Sequence, residues 1–114
     1  MIYIDILIAF MLSSNKHKNK GDGIYKLMYN VEFYEDANGV SELWDFLEDL
    51  RLKSATSKDA RIQHKQISLY IQLLEDNGTR LPDNITKHLG DDIWELRPGN
   101  NRVFYFYHKD DKEA

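Results

Sequence analysis

At 114 residues the chain is long enough for one domain and too short for two, and with 42% hydrophobic residues it can bury a single modest core. It has no cysteine, which excludes disulfides, thiolate zinc sites and cysteine nucleophiles and fits a reducing, cytoplasmic setting. The net charge of −4 is uneven, residues 1–27 balancing at +2 and residues 28–114 at −6. Such an acidic domain is not a general nucleic-acid binder, so any RNA contact must come from a local basic patch or a partner that already holds the RNA.

Residues 1–12 are apolar apart from Asp5. As a helix they would span about 18 Å, short of a bilayer core. Lys16, Lys18 and Lys20 follow the apolar run, whereas a signal peptide carries its positive charge before it. Ser13–Gly23 is polar and contains glycine, and so reads as a linker. Met28 precedes the first patterned segment. The expected organisation is therefore an N-terminal extension over 1–27, outside the fold, and a domain over 28–114. An upstream start codon, a membrane-surface anchor or a genuine added element would each account for the extension.

Tyr29–Tyr34 alternates and is rich in β-formers, which predicts a strand. From Ser41, a candidate cap, Leu43, Phe46, Leu47 and Leu50 form the stripe of an amphipathic helix over about 41–54. Thr56 and Asp59 have capping-box spacing and should open a second helix, to about residue 76. Its expected buried stripe is Ala60, His64, Ile67, Tyr70, Ile71 and Leu74, with Asn77-Gly78 as its stop. Two adjacent helices with a short link should make an antiparallel hairpin. Leu81–Gly90 reads as a connection. Ile93–Arg97 and Arg102–His108 read as strands joined by the turn Pro98–Asn101, and Lys109–Lys112 is a further turn signal.

If Arg97 and Arg102 close that turn, alternation places Glu95 opposite Phe104 on their face, with His108 further along. Trp94, Leu96, Val103, Tyr105 and Tyr107 then form the other, apolar face, which the helices should cover. Two facing arginines repel, a cost that a bound phosphate would remove. They could equally be solvated residues flanking a turn.

The run Asp91–Tyr107, DDIWELRPGNNRVFYFY, resembles the W-E-L-R … R-V-x-Y hairpin of HigB-like toxins of the RelE/ParE superfamily, including phage-derived relatives. The similarity extends back through His88-Leu89-Gly90 and the FLEDLR segment at Phe46–Arg51, and so over roughly residues 29–112. The resemblance implies an α+β fold, a small twisted, mostly antiparallel sheet with a helix hairpin on one face. It implies the toxin of a type II toxin–antitoxin system, a metal-independent and cofactor-free endoribonuclease that cuts messenger RNA on the ribosome and inhibits translation. The partners implied are a helix-turn-helix, HigA-like antitoxin, the ribosome and messenger RNA, with no DNA binding by the chain alone and no membrane.

By the same resemblance, Arg97 and Arg102 are the phosphate-side cations, Lys87 joins them in RNA binding, and His88 and His108 are candidates for proton transfer. The pattern departs at the C-terminus. Family members continue into a last strand and a basic segment, whereas only Glu113 and Ala114 follow the turn here. That departure implies an open sheet edge beside Arg102–His108 and weak or absent catalysis. A non-catalytic, truncated or phage-derived interaction protein that only binds an antitoxin is thus one alternative, and a ParE-like gyrase inhibitor another.

His64 lies on a helical stripe and reads as structural, and His17 falls in the linker. The four histidines have no short metal-ligand spacing, so no zinc site is expected. Glu35, Asp36, Glu42, Asp45, Glu48 and Asp49 read as a solvated acidic face, or else as a docking surface for a basic antitoxin segment.

Overall fold

A computed structural model describes residues 5–18 and 25–108, with side chains described at residues 12, 13 and 29–108. The elements in chain order are β1 (Asp5–Lys18), β2 (Tyr25–Phe33), α1 (Glu42–Lys53), α2 (Lys58–Asn77), β3 (Thr86–Gly90), β4 (Ile93–Leu96) and β5 (Arg102–His108). They form an α+β structure with one five-stranded mixed sheet in the order β2-β1-β5-β4-β3. The β1–β5 pairing is parallel and the other three are antiparallel. The turn signal at 109–112 lies outside the described residues.

The helices start where side chains can satisfy the first free N–H groups. Ser41 caps α1, its hydroxyl accepting from the Trp44 N–H at 3.2 Å. Glu42 and Asp45 in the first turn, and Arg51 and Lys53 in the last, complement the helix dipole. The cap of α2 is Ser57 rather than Thr56, with the Ala60 N–H 3.2 Å from its hydroxyl. Thr56 still belongs to the turn that closes α1, its N–H bonded to Lys53 O at 3.1 Å. The expected capping box is therefore not made, and Asp59 accepts from Gln63 Nε2 instead, at 2.7 Å. Gly78 ends α2 at φ +60°, and a Cβ there would sit 2.4 Å from the Tyr29 ring. Glycine thus both stops the helix and lets β2 pack beneath it.

The core comprises Leu12 and Tyr29 from the first two strands, Leu43 and Leu50 from α1, and Ala60, Ile67, Ile71 and Leu74 from α2. Leu96, Val103 and Tyr105 complete it from the hairpin. Phe46, Leu47, Trp94 and Tyr107 pack against this cluster as partly buried side chains. On α2 the deep positions are Ala60, Gln63, Ile67, Ile71 and Leu74. His64 and Tyr70, expected on that stripe, are half-buried at its flanks.

Three expectations change. Asp5–Lys18, set aside as part of an extension, is a strand inside the sheet between β2 and β5, with Leu12 fully buried. An apolar strand beside β5 satisfies backbone groups that a detached segment would leave unpaired. For the same reason β5 has no open edge along its pairing with β1, which runs from Asp5↔Arg102 to Ser13↔His108 with an irregularity between Ile6 and Phe10. Finally, the connection Leu81–Gly90 contains β3, an edge strand paired with β4 from Thr86↔Leu96 to Gly90↔Ile93.

A candidate anion site on the open sheet face

The hairpin has the register read from its turn, with Glu95↔Phe104 and Leu96↔Val103 as partners. Alternation then divides the sheet. Leu96, Val103 and Tyr105 are buried under the helices. Glu95, Arg97, Arg102, Phe104, Phe106 and His108 share the opposite face. Lys87 of β3 joins them as the partner of Glu95, and Ser13 of β1 as the partner of His108.

The arginines flank a turn that α2 holds in place. Pro98 is fully buried, and the Asn101 N–H bonds back to Pro98 O at 3.1 Å. Asn101 Nδ2 donates to Gln63 Oε1 at 3.2 Å, and Gln63 in turn donates to Asp59 at 2.7 Å. Gly99, at φ +61°, lies so near Gln66 that a Cβ there would sit 2.5 Å from its Oε1. Gln63 escapes a reading by hydrophobic pattern because it is polar. The available signal was its place four residues before Ile67 and eight before Ile71, on the buried side of the helix. A buried amide must find a partner, and this one finds the turn.

A second set of bonds ties β3, β4 and β5 together beneath Glu95. The Thr86 hydroxyl donates to Glu95 O at 3.0 Å, so its oxygen accepts from the Tyr105 hydroxyl at 2.6 Å. Burial pushes the Tyr105 phenol well above its ordinary range, outweighing the opposing effect of the bond to Thr86. The Arg97 N–H bonds to Ile85 O at 2.9 Å.

Between the two guanidiniums lies a carboxylate. Glu95 Oε1 is 3.1 Å from Arg97 Nε and 3.8 Å from Arg102 Nε. The Glu95 side chain is 15% exposed, against 33% for Arg97 and 36% for Arg102. The buried Arg97 Nε is at ion-pair distance from Glu95, yet its N–H is not aligned for a hydrogen bond to any described residue. Arg97 Nη1 reaches Asp83 O at 3.4 Å. Arg102 Nη1 donates to Asn101 O at 2.8 Å and to Gly99 O at 3.1 Å. The repulsion expected between facing arginines is therefore offset within the chain, by Glu95 and by backbone carbonyls.

The two candidate histidines are separated from this pair. His88 lies on the opposite face, stacked on Trp94 at 4.7 Å and 29°. Its Nε2 is 2.6 Å from Asp91 O, which can only accept, so that nitrogen carries the proton. Parity accounts for the placement: His88 is the partner of Trp94, whereas its neighbour Lys87 is the partner of Glu95. His108 shares the arginine face, but six residues of strand place it roughly 20 Å from Arg102. Neither histidine candidate for proton transfer therefore lies beside the arginine pair. Among the described residues, no group of His, Asp and Glu could hold a metal ion. No helix among them is long and apolar enough to cross a membrane.

Fold and site together define a small α+β protein with an arginine pair on the uncovered face of its sheet. The family model described as Phage derived protein Gp49-like (DUF891) matches residues 51–113, more than half of the chain, and the chain belongs to that family. The family is RelE/ParE-like and is associated with the toxins of toxin–antitoxin pairs. No curated protein matches the chain. The family match includes the hairpin and both arginines, whereas β1 and β2 precede it.

Proposed function

We propose that this protein is the toxin of a type II toxin–antitoxin system, HigB-like in action, and that it inhibits translation by cutting messenger RNA on the ribosome. The observation that carries this reading is the convergence of Arg97 and Arg102 on one anion position at the open face, where the Glu95 carboxylate now lies. Cleavage by a ribose 2′-hydroxyl forms a bond from that oxygen to the adjacent phosphorus and breaks the bond to the 5′-oxygen; the 2′-hydroxyl gives its proton to water, the departing 5′-oxygen takes one up, and the products are a cyclic phosphate and a 5′-hydroxyl. Negative charge grows on the non-bridging oxygens, and two preorganised guanidiniums stabilise it. The exposed Phe106 and half-buried Phe104 on the same face give bases a surface to stack on. His108, at its distance, serves a different nucleotide from the one clamped by the arginines. A helix-turn-helix antitoxin would silence the toxin and supply DNA binding.

The test is messenger cleavage mapped by primer extension in a reconstituted translation system. Arg97→Ala and Arg102→Ala should each lower cleavage by about 10²–10³, the usual effect of losing one transition-state donor. Both variants should retain the far-ultraviolet spectrum of the parent. Cleavage that survives both substitutions would remove the assignment. Inhibition of gyrase decatenation in place of cleavage would support a ParE-like activity instead.

A further inference from the structure

The contact between Glu95 and the arginines has a function of its own, and the inference about it rests on the RNA-binding reading of the same face. We propose that Glu95 is a built-in counter-ion, a positioning residue that occupies the anion site until a phosphodiester displaces it. Three observations carry this. A single oxygen, Oε1, faces the Nε atoms of both arginines, at 3.1 and 3.8 Å. The backbone of Glu95 is fixed from below by Thr86 and Tyr105, so its side chain moves against a rigid strand. The buried Arg97 Nε also lies within reach of the carboxylate without a directed hydrogen bond, so the pair is held by charge more than by bonding geometry.

A carboxylate in this position does two things. It holds the two like-charged arginines about one oxygen while the site is empty. It also competes with any incoming anion, so stray phosphate binds weakly, and only RNA already positioned by a larger partner overcomes the competition. This fits an acidic chain that meets its RNA on a carrier.

Inorganic phosphate is the probe, titrated into the full chain and followed by NMR. In the parent protein the Glu95 side-chain carboxyl ¹³C signal should shift on saturation, as Oε1 leaves the arginines. Glu95→Gln keeps the shape and removes the charge, and should bind phosphate roughly tenfold more tightly, the effect of removing one nearby like charge in a partly screened site. Glu95→Asp keeps the charge and should bind like the parent. Two results would overturn the proposal: no movement of the carboxyl signal in the parent protein, or a Glu95→Gln variant that binds phosphate no better. The parent titration does not depend on any variant folding. Neither measurement requires ribosomes, so absent cleavage with the expected phosphate behaviour would sink the ribonuclease reading alone. Cleavage without that behaviour would sink the counter-ion alone.

Discussion

Leu12 is the place to ask whether the N-terminal strand belongs to the fold. Its side chain is fully buried, between β2 and β5 and beneath the helices, facing Val31 on one side and Tyr107 on the other. Leu12→Ala removes its isopropyl group and leaves a cavity between β2, β5 and the helices. Such substitutions cost about 2–5 kcal/mol, and a closely surrounded site lies near the middle of that range, about 3 kcal/mol. For a chain of this size each kcal/mol lowers the melting temperature by about 4 °C, which gives a fall of roughly 12 °C. Differential scanning calorimetry measures it directly, with Ser13→Ala as the control. Ser13 is next in the strand but on the other face, and its substitution should change stability by no more than about 0.5 kcal/mol. If Leu12→Ala melts within about 2 °C of the parent, β1 is not in the sheet. Removing residues 1–27 would then be harmless, as the sequence pattern suggested. If β1 is in the sheet, that deletion strips the pairing from both β2 and β5.

Gln63→Ala should cost about 1 kcal/mol, because it removes the buried hydrogen bond that ties Asn101 to α2; chemical denaturation measures the loss, and cleavage should fall with it as the turn between the arginines loosens. For Tyr105, whose phenol holds its proton more tightly in the fold than in the unfolded chain, stability is fully present below the unfolded value of about 10 and declines as pH rises beyond it. Tyr105→Phe should flatten that alkaline decline in urea titrations, while costing about 1 kcal/mol at neutral pH through the lost bond to Thr86; an unchanged alkaline limb would count against the burial argument.

The hairpin and the helices were legible because their signals are local. The Pro98–Asn101 turn fixed the register, and the register fixed which face each of Glu95, Arg97, Arg102 and His108 occupies. The β1 and β3 strands were not legible. β1 is a parallel partner of a strand some ninety residues away, and nothing in its own residues names that partner. β3 spans only Thr86–Gly90, with a single buried residue, Thr86, so it lacks the alternation that marks a strand. The arginine pair was found by motif, but its neutralisation by Glu95 was not. Alternation put Glu95 on the right face without saying that its carboxylate would turn toward the guanidiniums. The face of His88 was not legible, since β3 was read as a connection and its pairing with β4 decides that His88 lies beside Trp94.

The parallel pairing of β1 with β5 also governs when the protein can exist. The first and last described strands are neighbours in the middle of the sheet, with both helices and the other strands between them in the chain. During synthesis α1 and α2 can pair as soon as they emerge, since their contacts are local, whereas β1 must wait for β5 and meet the entropy of closing a loop that spans nearly all the described residues. The arginine face is finished by that same last strand. A growing chain therefore carries no assembled anion site until β5 has emerged.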